Sequence, residues 1–263
     1  MKRKTKKRSS STTRRSARRE SGALALGPED RLFVLTGAGV SAESGLPTFR
    51  GAGGLWQGHR VEDVASPEAW ARDPALVWNF YSMRRQAGLS VKPNPAHLAL
   101  AEAERLLSGH FFLCTQNVDE LHERAGSRRL VHMHGELFKS RCSFCQREPF
   151  PDRKQYPTLA GIPRCQCGAL IRPHIVWFGE LPFHLPVIMD ELNRCTVLLV
   201  VGTSGLVYPA AHFVHWANSR YGDGNEPART YYVGPEEPAN AAAFTHVFQG
   251  KAGKILPGLI TLG

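Results

Sequence analysis

Gly37, Gly39 and Ala42 stand at the spacing of the loose dinucleotide fingerprint Gly-x-Gly-x-x-Ala, within the run Leu35 to Gly45. Glycines let the backbone approach a pyrophosphate, and a helix start offers free N–H groups and a positive dipole end. The chemistry is phosphate binding. The acid that usually follows about 20 residues on, at the end of a second strand, is not evident here. A second group of reactive residues is Cys142-Ser-Phe-Cys145 and Cys165-Gln-Cys167, two close pairs separated by 19 residues. Four thiolates fill a tetrahedral zinc sphere and leave no place for water or substrate, so such a metal is structural. The competing reading is two disulfides or unrelated thiols. Cys114 and Cys195 border apolar strands and read as small buried residues. Further polar clusters close apolar runs at Thr115-Gln116-Asn117-Val118-Asp119 and at Gly202-Thr203-Ser204.

These residues need elements to hold them. Leu32 to Leu35 reads as a short buried strand, and Ser41-Ala42-Glu43 as the opening of a helix. Residues 66–86 read as one helix, capped by Ser66-Pro67-Glu68 and carrying Trp70, Leu76, Val77 and Phe80 as apolar positions. Asn94-Pro95 breaks the chain, and a helix follows from about His97 to Leu107. Phe111 to Cys114, Val197 to Val201 and Thr230 to Val233 read as strands. Short apolar strands alternating with helices predict an α/β fold, a parallel sheet with helices on both faces. Ligands of such sheets bind beyond the carboxyl ends of the strands, where the polar clusters fall.

The 263 residues suit one large domain, or one domain with a smaller one. The net charge of +10 is concentrated at the start. Residues 1–19 carry ten Lys or Arg and no acid, which leaves 23 basic against 23 acidic residues elsewhere. A stretch of Ser, Thr, Lys and Arg cannot bury enough surface to fold, so residues 1–25 are expected to be a disordered basic tail. Such a tail either solubilises the protein or contacts nucleic acid. It lacks the apolar residues of an amphipathic mitochondrial presequence. No apolar run reaches the ~20 residues of a membrane span, and no signal peptide is evident. The expectation is a cytoplasmic, monomeric protein with no membrane partner.

Several motifs in order resemble the sirtuins, the NAD-dependent protein-lysine deacylases. GAGVSAESGLPTFR from Gly37 to Arg50 looks like the family's first NAD motif, and TQNVD at 115–119 like its second. His134-Gly135 matches the family's HG pair, and the four cysteines match its zinc module. Val176-Trp177-Phe178-Gly179-Glu180 resembles the segment that meets the acyl-lysine, and Gly202-Thr203-Ser204 a later NAD contact. The resemblance runs from about residue 30 to about residue 257. Tyr81-Ser-Met-Arg84 resembles the pair that places short acidic acyl groups in class III members. The residue types agree with that role. Positions i and i+3 share a helix face, an Arg fork grips a carboxylate with two bonds, and a Tyr hydroxyl adds a donor.

The resemblance implies a Rossmann-like domain from 26–56, 97–137 and 171–263. A helical insertion at 57–96 and a zinc module at 138–170 would form the small domain. It implies NAD, one structural zinc, and acylated protein lysines as substrates (succinyl, malonyl and acetyl). The acyl oxygen attacks the ribose carbon as nicotinamide leaves, and a base then deprotonates the ribose. His134 fits that base. Asn117 and Asp119 would hold the nicotinamide and ribose end. Phe49, Arg50 and Trp56 would cover the cofactor, with Gly37, Ala38, Gly39, Ser41, Gln116, Val118, Gly202, Thr203, Ser204 and Glu236 around it. Val176, Phe178, Gly179 and Glu180 would line the lysine tunnel, the backbone of 176–180 pairing with the substrate peptide as an added strand. Two positions depart from the family. Gly234 stands where many members carry an Asn at the adenosine end, and Ala252 where a backbone group meets adenine. Two other readings use the same features: an NAD-dependent protein ADP-ribosyltransferase, and a non-enzymatic nucleic-acid-binding protein that acts through the tail.

Overall fold

The computed structural model describes residues 23–48, 55–56, 58–219 and 226–262. In chain order these form β1 (Leu24–Leu26), β2 (Leu32–Thr36), α1 (Ala38–Ala42), β3 (Leu55–Trp56), β4 (His59–Arg60), α2 (Val61–Val64), α3 (Pro67–Arg72), α4 (Pro74–Ser90) and α5 (Pro95–Leu107). The middle holds β5 (Phe111–Thr115), α6 (Leu121–Ala125), β6 (Leu130–His132), β7 (Gly135–Cys142), β8 (Phe150–Pro151) and β9 (Ile171–Ile175). The last part holds α7 (Leu185–Arg194), β10 (Val197–Val201), α8 (Phe213–Asn218), β11 (Arg229–Gly234), β12 (His246–Gln249), α9 (Ala252–Leu259) and β13 (Ile260–Leu262).

Six strands form one parallel sheet in the order β12-β11-β10-β2-β5-β6. Its central strands are apolar at nearly every position because both faces are covered. Leu32, Val34, Leu113, Leu199 and Val233 pack on one face under α5 and α9. Phe33, Leu35, Cys114, Leu198 and Val200 pack on the other under α7 and α8. The register aligns Thr115, Thr36, Val201 and Val233, so these strands end on one edge. From β2 the chain builds outward through β5 to β6, and from β10 in the opposite direction to β12. The switch point therefore lies between β2 and β10, where a crevice opens in such sheets.

A third cluster joins Val64, Val77, Trp78, Phe80 and Tyr81 to Leu137, Phe138, Ile171 and Trp177. It rests on an antiparallel sheet, β8-β7-β9. A buried ion pair crosses it. Arg85 Nη1 lies 3.2 Å from Asp152 Oδ2. The guanidinium also donates to the Leu137, Lys139 and Lys154 carbonyls, so its fork is fully used.

Four local expectations change. The helix after the glycines begins at Ala38, directly from the turn, and ends at Ala42. Residues 66–86 form two helices rather than one. Pro74 forces the preceding residue out of the helical region, and Asp73, at φ −149° and ψ 84°, caps the second helix by accepting from Leu76 N at 2.9 Å. The tail expected over 1–25 overlaps β1, in which Leu24 and Leu26 are buried against β13 and α9. Residues 1–22 lie outside the described residues. The helix expected from His97 starts at Pro95, with Asn94 accepting from Ala96 N and His97 closing the capping box.

Candidate active site

The switch point is built from glycine because two backbones meet there. Gly37 N donates to Val201 O at 2.9 Å and Gly39 N to Gly202 O at 2.8 Å. A Cβ at Gly39 would lie 2.8 Å from Gly202 Cα, so no larger residue fits without parting the strands. Gly202 itself has φ +63°. A cavity of about 680 Å³ opens over this turn, within the range of ligand sites. Gly37, Ala38, Gly39 and Ser41 form its floor, Thr203 and Ser204 one wall, and Gln116, Asn117 and Asp119 another.

Asn117 is fixed from three sides. Its Nδ2 donates to Gly37 O at 3.1 Å and to Ser41 Oγ at 3.0 Å, and its N–H donates to Thr115 Oγ1 at 3.0 Å. The Ser41 hydroxyl in turn donates a hydrogen bond to the Asp119 carboxylate. Burial pushes the Asp119 carboxyl up, against the pull of the Leu121 N–H and the Ser41 hydroxyl. His134 lines the same cavity. Its Nδ1 lies 3.2 Å from the Gln116 carbonyl. A carbonyl only accepts, so Nδ1 carries the proton and Nε2 keeps a lone pair. Burial lowers His134 to about 4, which leaves it neutral and ready to take a proton at neutral pH.

At the other end lie Tyr81 and Arg84, on one face of α4. Trp177 Nε1 donates to Tyr81 Oη at 3.1 Å, so the Tyr81 proton is left to donate elsewhere. Burial raises Tyr81 to about 12 and keeps the phenol protonated. Burial also lowers Arg84, while the charges of Tyr81 and Asp119 pull it back up. Trp177 is pinned in turn by Arg172, whose guanidinium lies 3.2 Å from the ring centroid.

Val176, Phe178, Gly179 and Glu180 line the cavity, but they form a loop after β9, with Gly179 at φ +89°. Within it Val176 N donates to His134 O, Phe178 N to Ala65 O, Glu180 N to Trp177 O and Trp177 N to Glu180 Oε2. These four amides are used inside the chain and fix the shape of the loop. The Glu180 carboxylate is held by Arg172 at 2.7 Å and Arg141 at 3.3 Å, so its charge orders the wall rather than facing the cavity alone.

The four cysteines converge, with all four sulfurs within 4.8 Å of one another. Cys142 Sγ lies 3.5 Å from Cys167 Sγ, and Cys145 Sγ 3.6 Å from Cys165 Sγ. Zn–S bonds of about 2.3 Å set tetrahedral sulfurs roughly 3.8 Å apart, so the set fits zinc. None of the six cysteines is in a disulfide. Phe144 N and Cys145 N donate to Cys142 Sγ, which favours its thiolate.

Of the remaining expected residues, Val118 and Glu236 line the cavity, and Gly234 and Ala252 do not. A Cβ at Gly234 would lie 2.3 Å from Tyr232 Oη, so the tyrosine hydroxyl fills the space a side chain there would need. That hydroxyl donates to Thr203 O at 2.9 Å. Ala252 is buried with α9 in the core. Phe49 and Arg50 lie outside the described residues, as does the side chain of Trp56. Trp177, named in the sequence only as part of the 176–180 segment, lines the cavity with its side chain bonded to Tyr81. Tyr232 and Tyr208 also line it and were not anticipated.

Comparisons with known proteins agree with this geometry. The Sir2 family pattern matches residues 37–209. An NAD-dependent protein deacylase of Shewanella oneidensis is 47% identical over 232 residues, covering 87% of this chain and 92% of that one. The NAD-dependent protein deacylase SIR2rp3 of Leishmania major is 49% identical, covering 86% and 92%. A Sir2 homolog–NAD complex superposes with a TM-score of 0.77 at 41% identity, covering 88% of this chain and 89% of that one. A Sir2–p53 peptide–NAD+ complex gives 0.72 at 28% identity, covering 86% and 90%. A match that spans the glycine turn, the Asn117 cluster and all four cysteines makes this chain a member of the Sir2 family.

Proposed function

We propose that this chain removes acyl groups from protein lysines with NAD as co-substrate, and that Tyr81 and Arg84 favour short acyl groups ending in a carboxylate. The observation that carries the reading is the single cavity joining the Gly37–Gly39 turn, the His134 base and the Tyr81–Arg84 pair. The residues fit NAD. Gly37, Gly39 and Gly202 keep side chains out of the turn, and Asn117 and Asp119 present polar groups beside it. When bound, NAD supplies a ribose carbon whose bond to nicotinamide is broken. Asn117 and Asp119 orient the ribose end, and His134 accepts a proton at Nε2. Tyr232 takes the place of the family's Asn at the adenosine end, bringing a rigid hydroxyl where Gly234 has none. Arg84 offers two charge-assisted bonds and Tyr81 its free proton to an acyl carboxylate. An acetyl group has nothing there to bind.

We divide the chain into a basic arm, a Rossmann-like unit, and a small unit made of 57–96 and 138–170. The separate core cluster between α4 and the cysteine-bearing sheet supports that division. A monomer in a reducing cytoplasm, with the arm free to contact nucleic acid, completes the reading. Disulfide-free cysteines support the compartment, and no described helix is long and apolar enough to cross a membrane.

The test is product analysis with NAD and matched acetyl, malonyl and succinyl peptides. Free-lysine peptide with O-acyl-ADP-ribose supports deacylation. ADP-ribose attached to protein, without loss of acyl groups, would favour the transferase reading. An acetyl preference would overturn the acyl-pocket assignment while leaving the deacylase.

A further inference from the structure

His132 and Glu123 lie outside the cavity and have no part in the chemistry described above. His132 closes β6, one residue pair behind the base His134, and is only 6% exposed. Its Nδ1 lies 2.7 Å from the Asn117 carbonyl oxygen, and its Nε2 lies 2.7 Å from Glu123 Oε1 on α6. Both partners are acceptors. A neutral imidazole carries one N–H and can satisfy only one of them. Two short contacts to two acceptors require a proton on each nitrogen, which makes the ring an imidazolium paired with the carboxylate. We propose that His132 is a positioning residue, an imidazolium clamped by Glu123 that holds the Asn117 backbone at the cofactor end of the cavity. This rests on the reading of Asn117 as a cofactor residue.

The surroundings agree. The Asn117 side chain is tied to Gly37 and Ser41, so its carbonyl is the remaining handle on the residue. The charged groups that face His132 are Glu123 on α6, Glu136 on β7 and Asp119 at the end of the β5 loop. Lys139 faces the two glutamates and pairs with Glu136 at 2.8 Å, and His122 on α6 is held neutral by burial. Burial alone would lower His132. The Glu123 bond and charge outweigh it and hold the ring above its ordinary value. A group whose folded value is raised keeps its charge below that value and loses it as pH rises through it. The clamp is therefore released as pH rises through that raised value. Glu123, His132 and Glu136 also lie close enough to hold an ion, so metal binding is an outcome the test must separate.

The first measurement is ¹⁵N–¹H NMR of the imidazole rings in the zinc-loaded wild type. Two N–H signals from His132 with imidazolium shifts at pH 7 support the clamp. A single N–H, or a Nε2 shift that changes with added zinc or with a chelator that spares the four-cysteine site, overturns it. The second is the pH profile of kcat/KM for NAD in Glu123→Gln. Glutamine donates to Nε2 of a neutral ring whose Nδ1–H still reaches the Asn117 carbonyl, so the contact no longer needs the second proton. The alkaline limb that the wild type shows as His132 loses its proton is therefore expected to be absent from the variant. A limb that persists unchanged in the variant overturns the proposal. If Glu123→Gln fails to fold, the wild-type NMR decides. If the clamp is seen and Asn117→Ala leaves KM for NAD unchanged, the cofactor reading of Asn117 fails instead.

Discussion

The proton on His134 belongs to Nδ1 because the Gln116 carbonyl accepts it, and that single contact leaves Nε2 as the base. His134→Ala should lower deacylation by about 10²–10⁴-fold, the span of a lost general base, with Tm and zinc content unchanged. Steady-state assays with thermal melts decide it, and near-normal turnover in a folded variant would remove His134 from the reaction. The pH dependence follows with its sign. A base lowered to about 4 is protonated only as pH falls toward that value, so His134 should impose no loss of kcat/KM between pH 8 and about 5. A limb near the ordinary histidine value, absent in the variant, would contradict the burial described here. Arg84 makes a different demand. A charge-assisted bond is worth roughly 1.5–3 kcal/mol, and ~1.4 kcal/mol is tenfold in rate. Arg84→Met should therefore cut desuccinylation at least about tenfold and leave deacetylation within a few-fold. Equal loss on acetyl and succinyl peptides would make Arg84 a structural residue.

Elements decide which residues could be read from sequence. The glycine turn, the strand-end cluster 115–119 and the cysteine pairs were legible because each function needs fixed residue types at fixed spacing. The central strands were legible as unbroken apolar runs buried on both faces. What was not legible is assembled from distant segments. The Trp177 bond to Tyr81 spans 96 positions, and the Arg85 contacts reach Leu137 and Lys154 across two elements. No local pattern announces either. The Asp73-Pro74 break was readable in principle, since proline restricts the residue before it, but the apolar positions on either side ran as if through one helix. The hydrogen bonds that shape the loop 176–180 were likewise not legible, because its amides donate to His134, Ala65, Trp177 and Glu180. At this scale the zinc module yields a prediction. About one zinc per chain should be found, and Cys142→Ser with Cys145→Ser should remove it and destabilise the small antiparallel sheet, because Cys142 closes β7 and Cys165 packs in the same core cluster. Metal analysis and melting curves test this. Full zinc content in the double variant would reassign the ligands.

Across the whole molecule, the catalytic edge depends on a sheet whose outer layer includes the first described strand. β1 runs parallel to β13, with Leu24 paired to Ile260 and Leu26 to Leu262. Leu24 and Leu26 are 0% and 1% exposed and share a core with α5 and α9, the helices that cover the back of β2. The residues before them carry the charge excess. Two truncations should then behave differently. Removal of residues 1–22 should leave peptide deacylation and Tm nearly unchanged, while any nucleic-acid binding by the arm, which would fall steeply with salt, is lost. Removal of residues 1–27 also strips two buried leucines. At about 1.5–3 kcal/mol for each, that is a large part of the ~5–15 kcal/mol that holds a typical domain folded. Its Tm should fall by many degrees, and activity should fall with it as the support under the glycine turn loosens. Thermal melts and peptide kinetics on both truncations separate the cases. Equal stability of the two would show that β1 is dispensable. Loss of activity already in the shorter truncation would place the basic arm within the catalytic unit.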